Sequence, residues 1–288
     1  MTPSAAPIGR LSVCPTPIGN LEDVTLRVLE RLREADVIAC EDTRHTARLL
    51  ERHAIRAKRL LSFHEHNERA RGAELVERVR AGERVALVSD AGMPLVSDPG
   101  HVLLTAAIEA GIEPEVLPGP SAVLTALLAS GLPADSWRFV GFLPRRRGEL
   151  ERLLAEQTQT ETLVAFESPK RIAKTLSLLA ETDPERAGAV CRELTKLHEE
   201  VVRGSVAELA ERFAQTPARG EVVLVLAPRT ASRGELDLTD ALAALRELVA
   251  AGAKPRPAAS ALARLCGLSA NELYRGLTDD SDSSLRDG

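Results

Sequence analysis

Residues 89–100, SDAGMPLVSDPG, follow the apolar run VALV at 85–88 and carry two glycines, two prolines and two aspartates. A strand that ends in Ser89 and Asp90 and then meets Gly92, Pro94, Pro99 and Gly100 must turn sharply at its carboxyl end. That is where open α/β sheets bind their ligands. The segment therefore predicts a small-molecule pocket, with Ser97, Asp98 and Pro99 shaping the helix entry behind it. A single Gly or Pro turn would mean no more than an ordinary connection, but here two Asp-containing turns stand together.

Other polar clusters sit at comparable places. CEDTRHT at 40–46 puts Glu41, Asp42, Arg44 and His45 where a strand gives way to a helix, with Asp42 or Thr43 as N-cap. It reads as a reactive cluster or as a capped helix with a local ion pair. FHEHNE at 63–68 sets His64 and His66 on one side of an extended segment, but no third His or Cys ligand is near, and no metal site is expected. FLPRRRGE presents Arg145, Arg146 and Arg147 in a loop, ESPKRI adds Lys170 and Arg171, and CRELTKLHEE contributes Arg192, Glu193, Lys196 and His198. A charge run is usually a solvated face. Basic loops directly after strand ends can also cradle a phosphate backbone, to which planar guanidinium forks bind bidentately.

Several familiar signatures are missing. Neither GxxxxGK[ST], GxSxG nor HExxH occurs, and the first strand is followed by CPTPIGN at 14–20 rather than GxGxxG. P-loop phosphoryl transfer, the simplest hydrolases and ordinary dinucleotide binding are thereby disfavoured.

The elements that must position these clusters follow from the hydrophobic rhythm. The first half alternates β-rich runs (LSVC, DVIAC, RLLSF, RVALVS) with helical patterns over about 23–34, from Thr43, over ERARGAELVERVRAG and over about 100–110. EPEVL then leads to the turn PGPS and the helix AVLTALLAS, which Gly131 and Pro133 stop. This is the rhythm of βαβ units on a parallel sheet. A boundary is expected near residue 133, giving domains 1–133 and 134–228. In the second, WRFVGF, TLVAF and a central EVVLVLA are strands, Glu149 to Gln157 and the segment from Pro169 are helical, and AGAVCRE and EEVVRGS pair antiparallel before a helix at about 206–214. Residues 229–288 read as a linker, two or three Ala/Leu-rich helices and an acidic tail, DDSDSSLRDG, expected to be disordered. The helices fit a helix-turn-helix or a packing tail equally well.

Composition narrows the class. At 288 residues and 44% hydrophobic the chain can bury a sizeable core, and 37 Lys plus Arg against 42 Asp plus Glu leave a formal charge of -5. No global field attracts nucleic acid, so a polyanion must be gripped locally. One Trp, one Tyr and five Phe argue against rows of base-stacking platforms, and Cys14, Cys40, Cys191 and Cys266 form no CxxC, which suits a reducing cytoplasm. The start, MTPSAAPIGR, has no apolar core, and there is no run of 18 apolar residues, so neither a secreted nor a membrane-spanning protein is expected.

Taken together, TPIGNLEDVTLRVLERLREADVIACEDTRHT, SDAGMPLVSDPG, PGPSAVLTALLASGL, FVGFLPRRR, FESPKRI and RELTKLHEEVVRG resemble the tetrapyrrole methylase superfamily. They are closest to its branch of small-subunit ribosomal RNA (cytidine-2'-O)-methyltransferases, over about residues 11–228. The resemblance implies two α/β domains with S-adenosylmethionine in the cleft between them, a small C-terminal helical extension, a homodimer, and methyl transfer to a ribose 2'-hydroxyl in the decoding region. It implies cofactor contacts from Pro17, from Asp90, Ala91, Gly92, Met93 and Val96, from Ser121 and Ala122, and from Glu167, Gly220 and Glu221. The family commonly has Thr where Met93 stands and often Gly at Cys14 or Pro15, departures that touch only fine contacts. A ribose hydroxyl is a weak nucleophile, so Glu41 or Asp42 is expected as base or orienter, with Arg44 and Lys196 steadying phosphate or alkoxide. Arg145 to Arg147, Lys170, Arg171 and His198 are the remaining expected RNA contacts. Two other readings are methylation of a tetrapyrrole carbon, which predicts a GxGPG-like first loop and no basic loop pair, and a non-catalytic RNA-binding protein with a vestigial pocket.

Overall fold

The computed structural model describes residues 9–96, 100–155, 160–229, 238–266 and 268–283. Ser97, Asp98 and Pro99 lie outside them. The chain begins with β1 (Arg10–Cys14), α1 (Leu26–Glu34), β2 (Val37–Cys40), α2 (Thr43–Arg52) and β3 (Leu60–Ser62). It continues with α3 (Glu68–Arg80), β4 (Arg84–Val88), α4 (His101–Glu109), β5 (Glu115–Val116) and α5 (Ala122–Ser130). The five strands pair in parallel in the order β3-β2-β4-β1-β5. Neighbouring residues along a strand point to opposite faces, and here both faces are covered. Val37, Ala39, Val85 and Leu87 pack with Leu75 and Val79 of α3 and Leu103 of α4. Ile38, Cys40, Ala86 and Val88 pack with Val28 and Leu32 of α1 and Leu49 and Leu50 of α2. That is why these strands read as continuous apolar runs.

The second half contains β6 (Trp137–Phe142), α6 (Arg147–Ala155), β7 (Thr162–Glu167), α7 (Ile172–Ala180), β8 (Ala187–Arg192), β9 (Glu200–Ser205), α8 (Val206–Gln215) and β10 (Val222–Leu226). The sheet order is β6-β7-β10-β8-β9, with β6 parallel to β7 and the other pairs antiparallel. EVVLVLA is the central strand as expected, each residue of β10 being buried. One face packs on α7 and α8 through Leu176, Leu209 and Phe213. The other takes Val123, Ala126 and Leu127 of α5 against Val164, Cys191 and Val223. So α5, which precedes the boundary expected near residue 133, is packed as a helix of the second sheet. Arg203 of β9 fastens it, donating from Nε to the Ser130 carbonyl at 3.0 Å at the helix's carboxyl end, where a cation is favoured.

A capping box starts α8: the Ser205 hydroxyl accepts from the Glu208 amide at 3.2 Å, and the Glu208 carboxylate accepts from the Ser205 amide at 2.8 Å. Ser205→Ala is expected to lower stability by about 1 kcal/mol in a denaturant titration; an unchanged midpoint would contradict the cap's role.

Both sheets belong to one compact unit that runs to Ala227, and the chain from Pro228 on belongs to a second. The second unit has α9 (Leu238–Ala250), α10 (Pro255–Cys266) and α11 (Ala270–Ser283) around a small core of Ala241, Leu245, Ala259 and Leu273. The Arg256 guanidinium lies 5.1 Å from the centre of the Tyr274 ring. Of the acidic tail expected to be disordered, residues 279–283 are helical as the end of α11, and 284–288 lie outside the described residues. The start of α11 is favoured by Ser269, whose hydroxyl accepts from the Glu272 amide at 3.5 Å, and elongation from an existing helix is far easier than nucleation. No helix among the described residues is long and apolar enough to cross a membrane.

Candidate functional site

The carboxyl ends of β1 and β4 are tied into one scaffold. Thr16 and Gly92 exchange amide–carbonyl hydrogen bonds at 2.9 Å each, and the Thr16 hydroxyl donates to the Ser89 carbonyl at 3.0 Å. Gly92 adopts φ +77°, a left-handed backbone that glycine accepts without strain. The PGPS turn closes on the same loop: a Cβ at Gly119 would stand 2.5 Å from the Pro15 side chain. Ser121 then caps α5, its hydroxyl accepting from the Leu124 amide at 3.4 Å.

Beside this scaffold lies a cavity of about 490 Å³, within the range of small-molecule pockets, roughly 300–1,000 Å³. From the first half Asp90 to Met93, Val96, Ser121 and Ala122 line it; from the second, Glu167, Gly220 and Glu221 do. Among the expected cofactor residues, Pro17 is buried and does not line it, whereas its neighbour Ile18 does. The sequence reading also missed Phe142, Phe166, Cys191 and Leu194. Phe142 had a visible signal. Gly141 sits inside the strand with φ +68° next to a register shift between Phe139 and Phe142, and such a bulge re-aims the following side chain. Phe142 reaches the pocket this way, 5.4 Å from Phe166 between ring centres.

The carboxylates of the pocket differ in their partners. Glu167, 2% exposed, accepts from the Ser168 amide and the Thr175 hydroxyl at 2.7 Å each and lies 3.1 Å from the Arg171 guanidinium. Glu221 and Glu193 both bind the Lys196 ammonium at 2.9 Å. Asp90 has no ion pair among the described residues; its Oδ1 accepts from the Asp42 amide at 3.0 Å.

The two candidate bases are separated by their surroundings. Asp42 caps α2, accepting from the Arg44 amide at 2.8 Å, and its carboxylate pairs with the Arg44 side chain, which lowers its pKa to about 2. Burial, and then the Asp90 charge, raise Glu41 above the usual carboxylate range. A carboxylate held far below neutrality is a weak base, so Glu41 is the better proton acceptor of the two.

The expected RNA cations fare unequally. Arg171 donates from Nη2 to the Leu143 and Pro144 carbonyls at 2.9 and 2.8 Å, which ties its guanidinium to the PRRR loop. Arg147 is bound to Glu151 and Glu181, and the exposed Arg146 to Glu149. Arg44 projects outward at 88% exposure while paired with Asp42. Arg145, Lys170 and His198 are exposed and have no ion pair among the described residues. Lys196 is likewise no free cation. Burial alone would lower its pKa, but the bonds to Glu193 and Glu221 outweigh it and hold the pKa above the usual lysine value.

The His64 segment is a turn instead of an extended strand, because the Asn67 side chain folds back on it. His64 and His66 meet edge to face at 5.9 Å, and no group of three metal-ligating side chains occurs among the described residues.

A parallel sheet and a mostly antiparallel one enclosing a pocket between the β1 and β4 ends and the second sheet are accounted for by family membership. The chain belongs to the tetrapyrrole methylases: the family described as Tetrapyrrole (Corrin/Porphyrin) Methylases matches residues 10–210. Among its relatives is a ribosomal RNA small subunit methyltransferase I of Mesorhizobium japonicum, 46% identical over 274 residues, covering 93% of this chain and 91% of that one. The protein of the same name from Thermotoga maritima is 43% identical over 219 residues, covering 76% and 98%. Of solved structures, uroporphyrin-III-C-methyltransferase from Thermus thermophilus superposes with a TM-score of 0.52 at 26% identity, covering 79% of this chain and 98% of that one. A diphthine synthase gives 0.60 at 19% identity, covering 76% and 90%, a likeness of fold alone.

Proposed function

We propose that this chain is an S-adenosylmethionine-dependent methyltransferase acting on small-subunit ribosomal RNA, at the 2'-hydroxyl of a cytidine ribose in the decoding region. The observation that carries the reading is the pocket between the two sheets, with Glu41 attached to its rim through the Asp42–Asp90 bond. The residues present fit the cofactor. Asp90 offers an uncompensated carboxylate to hydroxyls or positive charge, and Phe142 and Phe166 offer aromatic faces to a flat heterocycle or a cation. S-adenosylmethionine, when bound, supplies an electrophilic methyl group on a sulfonium.

The chain's own part is to hold both partners in line, exclude water and take up a proton. Proximity supplies much of the acceleration. Methyl transfer to a hydroxyl releases one proton, and in this reading Glu41 accepts it. Arg145, Lys170, His198 and Arg44 are the cations we assign to RNA phosphate, while Lys196 and Arg171 shape the site. Residues 1–133 and 134–228 form the two halves of the cofactor cleft in this reading, which also includes a cytoplasmic homodimer. Methylation of a tetrapyrrole carbon is the less favoured alternative, since the first loop is CPTPIGN and the second half carries the PRRR loop.

The test is transfer of tritiated methyl to small ribosomal subunits from a strain lacking the enzyme, followed by mapping of the labelled nucleoside. Label at a base, or no transfer to the subunits at all, would overturn the reading. With a formal charge of -5, the enzyme is expected to prefer assembled subunits to deproteinised RNA, because shape and a few phosphate contacts must replace global attraction. Equal rates on both would contradict this. Arg145→Ala should weaken subunit binding with a smaller salt slope and leave cofactor affinity unchanged.

A further inference from the structure

The strand order β3-β2-β4 sets three chain ends side by side. Glu41 follows the last residue of β2, Asp90 stands just past β4, and His64 just past β3. The Phe63 amide donates to the Cys40 carbonyl at 2.8 Å, carrying the β2–β3 pairing beyond the strands, so Glu41 and His64 leave the sheet together. On the opposite side the Asp42 amide binds Asp90. Glu41 is thus flanked by an imidazole and a carboxylate.

The imidazole is held in one tautomer. Asn67 is oriented without ambiguity: its Oδ1 accepts from the His64 amide at 2.9 Å and its Nδ2 donates to the Ser62 carbonyl at 3.1 Å. The same Nδ2 stands 3.1 Å from His64 Nε2, which therefore accepts, leaving the ring proton on Nδ1. Asn67 occupies the N-cap position of α3 yet its side chain does not cap the helix, so a stabilisation of about 1 kcal/mol is forgone to fix this ring. His64 Nδ1 is shielded from solvent and has no hydrogen-bond partner among the described residues, a costly condition for a buried donor.

We propose that His64 positions Glu41: its Nδ1–H is the donor that the Glu41 carboxylate engages when the acceptor ribose is in place. The inference rests on the reading of Glu41 as proton acceptor. Burial, Asp90 and Asp42 all oppose the ionised form of Glu41, so a hydrogen-bond donor on the His64 side is what its carboxylate needs. His66, whose ring meets His64 edge-on, is exposed and faces solvent.

Asparagine at position 64 keeps an N–H near the place of Nδ1, whereas glutamine places its amide near Nε2 and loses that donor. With the full-length enzyme, small subunits lacking the modification and saturating S-adenosylmethionine, His64→Gln should lower the single-turnover rate by about 10- to 100-fold. Cofactor affinity should hold, and the acid limb of the rate should move to higher pH, because Glu41 loses the neighbour that favours its charge. His64→Asn should recover most of the rate. A wild-type rate and pH profile in His64→Gln would overturn the inference, as would equal losses in both variants accompanied by equal losses of thermal stability. A wild-type rate in Glu41→Gln would instead overturn the assignment of the base, and so separates the two failures.

Discussion

Glu41→Gln is expected to lower single-turnover methyl transfer by about 10²- to 10⁴-fold, the usual contribution of a positioned base, while S-adenosylmethionine binding and thermal stability stay near wild type. Glu41 is solvent-exposed, so the amide is accommodated without a buried charge being stranded. The pH dependence carries the sign. A base works deprotonated, so the rate falls toward acid through the pKa of the base, and burial followed by the Asp90 charge places that pKa above the ordinary value of about 4.3. Asp42→Asn makes the contrast. Asparagine caps as well as aspartate, and Asp42 is already held near 2 by Arg44, so its removal should leave the rate and the acid limb almost unchanged. A full rate in Glu41→Gln, or a collapse in Asp42→Asn alone, would reverse the assignment.

Glu167→Ala is expected to cost about 3 kcal/mol of stability. The buried Thr175 hydroxyl and the Ser168 amide would lose their acceptor, and Arg171 would lose its anion while it still holds the carbonyls of the PRRR loop. The partial exposure of Arg171 keeps the figure at the lower end for a broken buried pair. For a unit of this size that corresponds to a fall of about 6–12 °C in the thermal midpoint. Glu167→Gln keeps an acceptor for both neutral donors and should recover part of the loss. A change below about 1 kcal/mol in Glu167→Ala would show that water replaces the carboxylate at little cost.

The elements were legible because their signals are local. VIAC and VALV are unbroken apolar runs, the mark of strands covered on both faces, and Leu75, Val76 and Val79 are buried at helical spacing. The turn behind VALV was legible as a pocket wall because its glycines and prolines fix the backbone themselves. What was not legible is any pairing whose partner is distant in sequence. Nothing near Arg171 reveals that the Leu143 and Pro144 carbonyls claim it, and nothing near Lys196 reveals Glu221. A free cation and a paired one look alike in a string, so the residue types alone do not show these bonds. The FHEHNE turn failed for a different reason, since Asn67 acts on His64 through side-chain bonds that compete with the extended backbone.

By itself, then, the sequence determined the alternation of strands and helices, the Asp90–Gly92 turn and the family resemblance, because periodicity, turn chemistry and motif spacing are properties of neighbouring residues. The tertiary structure decided which sheet α5 covers, how Phe142 enters the pocket, how differently Glu41 and Asp42 are surrounded, and which cations are paired with carboxylates. Those outcomes depend on burial and on charges brought together from separate strands, and only the closed fold sets the local dielectric and the partners of each ionised group.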